Sequence, residues 1–116
     1  MKARARIILG IIKKYGFGKN LLDAGCGTGH LLSLIIKKHP NQFTSIEGTD
    51  FSKEACKNTS KILGIKTFEA DLKNIKVKKK YDLIICSEVI EHVEDDERVI
   101  KNIFNMLYNG GNVIFT

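Results

Sequence analysis

The segment LLDAGCGTGHLL, residues 21–32, places an acid and three alternating glycines between two apolar runs. A glycine-rich turn can bend sharply and bring bare backbone against a ligand, because glycine has no Cβ. The first apolar run is typical of a short buried strand, and the second predicts a helix. The segment therefore predicts a ligand-binding turn at Gly25 and Gly27, whereas Gly29 would let the helix pack close to the sheet. The alternative is a turn that serves only tight packing.

Polar residues also follow the next three predicted strands. Asp50 ends the second strand, Asp71 follows the third, and Ser87 follows the fourth. The carboxyl ends of parallel strands meet at one edge of a sheet, where ligands bind in such folds. Each aspartate alone has an ordinary explanation as a helix-initiating or turn residue. Together with Asp23, they predict one polar site.

Strand and helix patterns alternate along the whole chain. Strands are predicted at 20–24, 43–50, 65–70, 81–87 and 112–116, and helices at 4–16, 29–39, 52–64 and 95–111. The last helix carries an apolar stripe that reaches Leu107, and Gly110 is expected to end it. Such alternation predicts the α/β class, a doubly wound and mostly parallel sheet with helices on both faces. We expect one domain over residues 1–116, including an N-terminal helix within 1–18.

The glycine spacing differs from that of two known nucleotide-binding turns, the dinucleotide fingerprint and the phosphate-binding loop. The dinucleotide fingerprint G-x-G-x-x-G requires a third glycine where this chain has His30, which disfavours a nicotinamide enzyme. A phosphate-binding loop requires a lysine followed by serine or threonine, and none follows here. The observed pattern is G-x-G-x-G, after an acid.

These motifs resemble those of the class I S-adenosylmethionine-dependent methyltransferases, which have a Rossmann-like fold. LLDAGCGTGHLL is similar to their first motif and IEGTDFS, residues 46–52, to their second. EADL at 69–72 and YDLIICSEVIEHV at 81–93 resemble the segments after strands three and four, and LYNGGNVIFT at 107–116 resembles the run into strand five. The resemblance covers the chain from residue 20 onward. It implies S-adenosyl-L-methionine as cofactor and transfer of its methyl group to an acceptor.

The resemblance implies that the turn holds the amino-acid end of the cofactor. Asp23 would act there with the backbone of Gly25, Cys26 and Gly27. Asp50 would accept hydrogen bonds from both ribose hydroxyls, which the two oxygens of a carboxylate suit.

Four further residues match family positions around the adenine and the methyl group. Phe51 would lie against the adenine face, where an aromatic ring adds stacking and burial. Asp71 would accept from the adenine amino group beside the Leu72 backbone, and Ser87 would line the route to the sulfonium methyl.

The segment EVIEHV, residues 88–93, could support chemistry beyond cofactor binding. In a helix, Glu88, Glu91 and His92 would share one face. This segment resembles two branches of the family, the ubiquinone-biosynthesis-type O-methyltransferases and the metal-dependent small-RNA 2′-O-methyltransferases. The second branch requires a further histidine after strand five, so no metal site is predicted and His92 is proposed as a general base. Alternatively, the segment is a polar turn that only anchors loops.

Composition bears on partners and location. Three cysteines without a C-x-x-C pair predict packing or backbone-site residues and no disulfide framework, which fits a reducing compartment, here the cytoplasm. No apolar run approaches the roughly 20 residues that a membrane span requires. The net charge of +6 allows RNA as an alternative partner, although a lysine-rich surface is more often simply solvated. A small-molecule acceptor is therefore expected.

Members of this family usually continue with two more strands, whereas this sequence ends on strand five. The fold is thus predicted as apparently truncated after strand five, which would leave that strand as an exposed apolar edge. A fragment that binds cofactor or a partner without catalysis is one alternative. A homo-oligomer or a partner chain that covers the edge is another.

Overall fold

The computed structural model describes residues 3–86 and 96–116, which contain four helices and five strands, the third and fourth strands being consecutive in the chain. The helices are α1 (Ala3–Tyr15), α2 (His30–Lys38), α3 (Lys53–Leu63) and α4 (Asp96–Asn105), and the strands are β1 (Asn20–Ala24), β2 (Ser45–Asp50), β3 (Lys66–Glu69), β4 (Tyr81–Cys86) and β5 (Leu107–Phe115). Among these helices, none has both the length and the apolar character needed to cross a bilayer. The predicted α/β class is confirmed.

The five strands form one parallel sheet in the order β3-β2-β1-β4-β5. Strand order changes direction between β1 and β4, which is the switch point where ligands bind in doubly wound sheets. All strands run the same way, so their ends share one edge, here named the carboxyl edge. Their starts share the opposite edge, here named the amino edge.

Helices cover both faces of the sheet. On one face, Ile12 of α1 and Ile35 of α2 pack in a cluster that includes Leu21 of β1. On the other face, Ile103 of α4 packs in a cluster that includes Leu22 of β1. Neighbouring residues of β1 thus enter opposite cores, as strand geometry requires. Each fully buried aliphatic side chain contributes about 1.5–3 kcal/mol to folding.

The end of α4 and the start of β5 differ from the prediction. The helix ends at Asn105 instead of residue 111, and the strand begins at Leu107 instead of residue 112. Leu107 pairs with Tyr81, whose amide donates to the Met106 carbonyl over 2.8 Å. Gly110, with φ of 82°, lies within β5 next to a register shift in this pairing and does not end a helix. Pairing with β4 therefore overrides the apolar helical stripe.

Asp82 organises the amino edge at the start of β4. Its Oδ2 accepts hydrogen bonds from the Lys19 amide at 3.1 Å, the Asn20 amide at 2.8 Å and the Asn20 side-chain Nδ2 at 2.9 Å. Burial acts to raise the pKa of this carboxyl, but the hydrogen bonds from Asn20 and Lys19 lower it below its ordinary value. Gly18 packs directly beside it, since a Cβ there would lie 2.7 Å from the Asp82 Cβ and Cγ. Asp82 is therefore a structural acid.

A buried acid on β2 links the loop before β4 to the sheet. Glu47 accepts from the Tyr81 hydroxyl over 2.8 Å and forms an ion pair with Lys79. Burial raises the pKa of Tyr81, and the hydrogen bond to Glu47 and the negative charge of Glu47 raise it further. A buried carboxylate is tolerated here because it has both a hydrogen-bond donor and a cation.

The three cysteines are free, as predicted, and buried. Cys26 belongs to the core under α1 and α2, and Cys86 belongs to the core under α4. Burial, with a smaller effect of the Asp23 charge, raises the pKa of both thiols to about 12. Cys56 on α3 has a raised pKa for the same main reason. All three are therefore thiols at neutral pH, and they serve as packing residues.

Candidate functional site

The glycine turn joins β1 to α2 at the carboxyl edge. The amides of Gly25 and Cys26 both donate to the Thr49 carbonyl, at 2.7 and 2.9 Å, so the turn is fixed to β2 as well as to β1. Gly25, Gly27 and Gly29 have φ values of 88°, 53° and 82°. Residues with a Cβ rarely adopt this left-handed region, which explains why the turn is built from glycine.

Gly27 and Gly29 are needed for different reasons. A Cβ on Gly29 would lie 2.9 Å from Thr59 Cγ2 and 3.2 Å from Leu63 Cδ1, so this glycine permits close packing. The close neighbour is α3, whereas the sequence placed the contact against the sheet. A Cβ on Gly27 meets nothing within 4 Å, so this backbone faces open space. Gly27 is therefore the glycine that a ligand could approach.

A cavity of about 500 Å³ lies between the glycine turn and α1. It is lined by Arg4, Ala5 and Ile8 of α1, by Asp23, Gly25, Cys26, Gly27 and Thr28, and by His30 and Leu31 of α2. Its volume falls within the roughly 300–1,000 Å³ typical of small-molecule sites. One cavity thus contains Asp23, Gly25, Cys26 and Gly27, for which the family resemblance implied contact with the amino-acid end of the cofactor.

Asp23 is the most unusual residue of this cavity. Its side chain is 2% exposed, and its Oδ1 has no hydrogen-bond partner among residues 3–86 and 96–116. Burial raises its pKa from 3.8 to about 7, and the nearby charge of Asp50 contributes further. A buried carboxylate oxygen without a hydrogen-bond partner is unfavourable, and a cationic group in the cavity would relieve that cost. The site can therefore accept a small cation such as an ammonium group.

Asp50 lies at the end of β2 and contacts the glycine turn directly. Its Oδ2 accepts from the Gly27 amide at 2.9 Å, and its Oδ1 accepts from the Ser52 amide at 3.0 Å. Ser52 in turn caps α3, since its Oγ accepts from the Ala55 amide at 3.1 Å. Each oxygen of a carboxylate can accept a second hydrogen bond. Asp50 can therefore hold the turn and still bind ligand hydroxyls.

Phe51 follows Asp50 and is 82% exposed, the largest value among the large apolar side chains that the structure describes. The ring therefore makes little contact with the rest of the described chain. Its position after the β2 carboxylate leaves the ring available to a ligand that Asp50 holds.

Asp71 and Leu72 lie in the turn after β3. The Ala70 amide donates to the Asp50 carbonyl over 2.9 Å, which holds this turn against the end of β2. Both oxygens of Asp71 accept hydrogen bonds within the turn, Oδ1 from the Lys73 amide at 3.0 Å. The Leu72 side chain is buried in the α4 core. Asp71 thus stabilises its own turn, which agrees with the alternative explanation that it is a turn residue. It is also exposed at the same edge of the sheet.

Ser87 and His92 lie outside the described residues, together with Glu88 and Glu91. Their predicted roles in the methyl route and in proton transfer stay predictions. β4 ends at Cys86, which pairs with Ala24, so the chain enters this segment at the carboxyl edge beside the glycine turn.

Six residues that line the cavity were not predicted, namely Arg4, Ala5, Ile8, Thr28, His30 and Leu31. Arg4, Ala5 and Ile8 reach it because α1 packs beside the turn, and no local pattern shows which part of a helix will cover a distant loop. Thr28 and His30 lie within the quoted motif, but His30 entered the sequence argument only as a departure from the dinucleotide fingerprint. Their position next to the glycines was the available signal.

The fold and the site define a Rossmann-like α/β domain with a ligand cavity at the switch point. The model of the methyltransferase domain family matches residues 3–116, so the chain belongs to that family. The resemblance to class I S-adenosylmethionine-dependent methyltransferases that the motifs predicted is confirmed.

Two relatives and one solved structure illustrate the similarity. The chain is 34% identical over 102 residues to the ubiquinone biosynthesis O-methyltransferase of Coxiella burnetii, covering 85% of this chain and 43% of that protein. It is 30% identical over 101 residues to malonyl-[acyl-carrier protein] O-methyltransferase 1 of Ilyobacter polytropus, covering 84% and 37%. The fold matches the N-methyltransferase NodS of Bradyrhizobium japonicum, crystallised with S-adenosyl-L-homocysteine, with a TM-score of 0.82 at 24% identity over 97% of this chain and 59% of that one. The chain thus spans less than half the length of these two curated relatives.

Proposed function

We propose that this chain is the cofactor-binding core of an S-adenosyl-L-methionine-dependent methyltransferase. Family membership supports the proposal, and one observation of the structure carries it. The buried carboxylate of Asp23 lines a cavity, and its Oδ1 has no hydrogen-bond partner among the described residues, beside a glycine turn with open space at Gly27. A cofactor with an ammonium group and a nucleoside would satisfy both features.

The residues at the carboxyl edge are suited to hold such a cofactor. Asp23 would bind the ammonium group of its amino-acid part, since a cation within reach favours the charged carboxylate. Asp50 would accept from the ribose hydroxyls through its remaining lone pairs, and the exposed Phe51 ring would cover one adenine face. Asp71 would accept from the adenine amino group with the Leu72 backbone beside it. These roles follow the family motifs.

When bound, S-adenosyl-L-methionine supplies an electrophilic methyl group on a positively charged sulfur. The protein contributes orientation and a suitable environment, because direct displacement needs no covalent enzyme intermediate. Ser87 would line the route to the methyl group, and His92 would take the acceptor's proton where the acceptor must lose one.

The acceptor is proposed to be a small molecule, free or bound to a carrier. The two relatives above are named for ubiquinone biosynthesis and for a malonyl acyl-carrier-protein substrate, which favours this class. The alternative of a metal-dependent RNA reaction rested on positive charge and on the E-x-x-E-H segment, which lies outside the described residues. We also propose the cytoplasm as the location, because unpaired buried cysteines suit a reducing compartment.

Calorimetry on the purified chain tests the cofactor. We expect binding of S-adenosyl-L-methionine and its homocysteine product, and none of NAD. Asp50→Ala should weaken binding more than tenfold, because a charged hydrogen bond to a desolvated ligand contributes about 1.5–3 kcal/mol. Glu69→Ala removes an exposed carboxylate at the same edge and should leave affinity unchanged. NAD binding, or equal affinity of the Asp50→Ala variant, would contradict the proposal.

A further inference from the structure

The peptide groups on either side of Gly27 are held from two directions. The Gly27 amide donates to Asp50 Oδ2 at 2.9 Å, and the Gly27 carbonyl accepts from Thr59 Oγ1 at 3.0 Å. The two anchors come from different elements, the end of β2 and the middle of α3. Gly27 therefore lies between an acceptor and a donor that are both external to the turn.

A glycine needs such anchors more than other residues do. Its backbone populates right-handed and left-handed regions with similar ease, so φ of 53° is not fixed by the residue itself. Without external hydrogen bonds, the peptides around Gly27 could rotate at little cost. The direction in which the turn presents its amides to a ligand must therefore be set by groups outside the turn.

Thr59 is well placed for this role. It is fully buried, and its methyl group occupies the space that a Cβ on Gly29 would need, at 2.9 Å. One side chain thus touches two glycines of the turn, Gly27 through its hydroxyl and Gly29 through its methyl group. Its own helix is fixed in place, because Ser52 caps α3 and the Cys56 thiol donates to the Phe68 carbonyl over 3.4 Å.

We infer that Thr59 is a positioning residue, which fixes the orientation of the Gly27–Thr28 peptide for the cofactor. This inference rests on the proposed function. Thr59 lies behind the turn and acts through it, while Asp50 holds the same residue from the other side. Loss of the hydroxyl leaves the Gly27 carbonyl without its donor and lets the peptide turn away. The loss should appear as weaker cofactor binding, with kcat unchanged where an acceptor is available.

Three variants separate this role from a general contribution to stability. Thr59→Val removes the hydroxyl at nearly constant volume, and Thr59→Ser keeps it. Thr67→Val is the matched control, because the Thr67 hydroxyl donates to the Cys56 carbonyl of the same helix over 2.7 Å without touching the turn. By calorimetry with S-adenosyl-L-homocysteine, Thr59→Val should raise Kd about tenfold, a change of about 1.4 kcal/mol. Thr59→Ser and Thr67→Val should stay within twofold of the parent chain.

Unchanged affinity in Thr59→Val, or an equal loss in Thr67→Val, would overturn the inference. If Thr59→Val does not fold, Thr59→Ala is measured instead, with the same expected loss. Amide hydrogen exchange of the ligand-free chain provides a test that needs no cofactor. The Gly27 amide should exchange at least tenfold faster in Thr59→Val and at the parent rate in Thr67→Val. If the parent chain does not bind cofactor, the proposed function fails, while this exchange measurement still decides the role of Thr59.

Discussion

Asp23 and Asp82 lie on neighbouring strands, β1 and β4, but at opposite edges of the sheet. Asp82 accepts three hydrogen bonds from Lys19 and from Asn20, the first residue of β1, and its pKa is lowered despite the opposing effect of burial. Asp23 is almost fully buried with an oxygen that has no described partner, and its pKa is raised to about 7. Asp82 joins two strands through its hydrogen bonds, whereas the carboxylate of Asp23 is the group that we propose to bind the cofactor's ammonium group.

The glycines beside these acids differ in the same way. Gly18 and Gly27 have φ of 73° and 53°, so a side chain would be strained at either position. A Cβ on Gly18 would strike Asp82, whereas a Cβ on Gly27 would enter open space. Gly18 is thus closely packed against Asp82 at the amino edge, whereas the backbone of Gly27 is accessible at the carboxyl edge.

The pH dependence of stability should separate the two acids most strongly. The pKa of Asp23 is raised from 3.8 in the unfolded chain to about 7 in the folded chain. Its contribution to the free energy of unfolding is therefore complete below pH 3.8 and is lost as the pH rises towards 7. The free energy of unfolding should fall over this window by on the order of 4 kcal/mol. Asp82 acts with the opposite sign, because its pKa is lowered and its contribution is lost only as the pH falls through acidic values. Urea unfolding between pH 4 and 8 should show the fall in the parent chain and not in Asp23→Asn. If the free energy of unfolding falls equally with pH in the parent chain and in Asp23→Asn, the predicted difference between Asp23 and Asp82 is wrong.

The paired substitutions Gly18→Ala and Gly27→Ala compare packing at the two edges. Gly18→Ala should lower the free energy of unfolding by about 3 kcal/mol, since left-handed strain adds to a clash with Asp82. Gly27→Ala carries only the strain, about 1–2 kcal/mol, but its methyl group would enter the space proposed for the cofactor. Urea titration gives the stabilities, and calorimetry should show lost cofactor binding only for Gly27→Ala. Equal stability losses would mean that the edges are packed alike.

Asp82→Ala should have the smallest effect of these changes. It leaves the amides of Lys19 and Asn20 without their acceptor, and partial exposure to water limits the loss to about 1–2 kcal/mol. Cofactor affinity should be unchanged, because the residue lies at the edge opposite the cavity. Thermal unfolding and calorimetry of the same preparation check both expectations. A tenfold loss of affinity would show that the two edges are coupled.

The sequence predicted the alternation of strands and helices because each buried strand and each apolar helix face has its own local period. It also predicted the residues of the glycine turn, since the need for positive φ is a property of single positions. It misplaced the end of α4, because the apolar stripe through Leu107 satisfies a helix as well as a strand. Only the pairing of Leu107 with Tyr81, 26 positions earlier in the chain, decides between them.

The supporting residues of the site could not be predicted for a related reason. Thr59 and Gly29 are 30 positions apart, and no local sequence pattern indicates that they are in contact. The same holds for Arg4 in the cavity wall and for Asp82 at the amino edge. The residues of the glycine turn belong to a local motif that can be recognised in the sequence. The residues that support the turn are determined by long-range packing, which the sequence alone does not show.

The ion pair between Glu47 and Lys79 has a practical consequence for labelling experiments. Amine-reactive dyes and acetylating reagents neutralise lysine side chains, and Lys79 is exposed enough to react. Its modification would leave the buried Glu47 carboxylate with the Tyr81 hydroxyl as its one remaining partner among the side-chain contacts of the described residues. Heavily conjugated preparations should therefore unfold more easily than lightly conjugated ones, and attachment through an introduced surface thiol would avoid this damage.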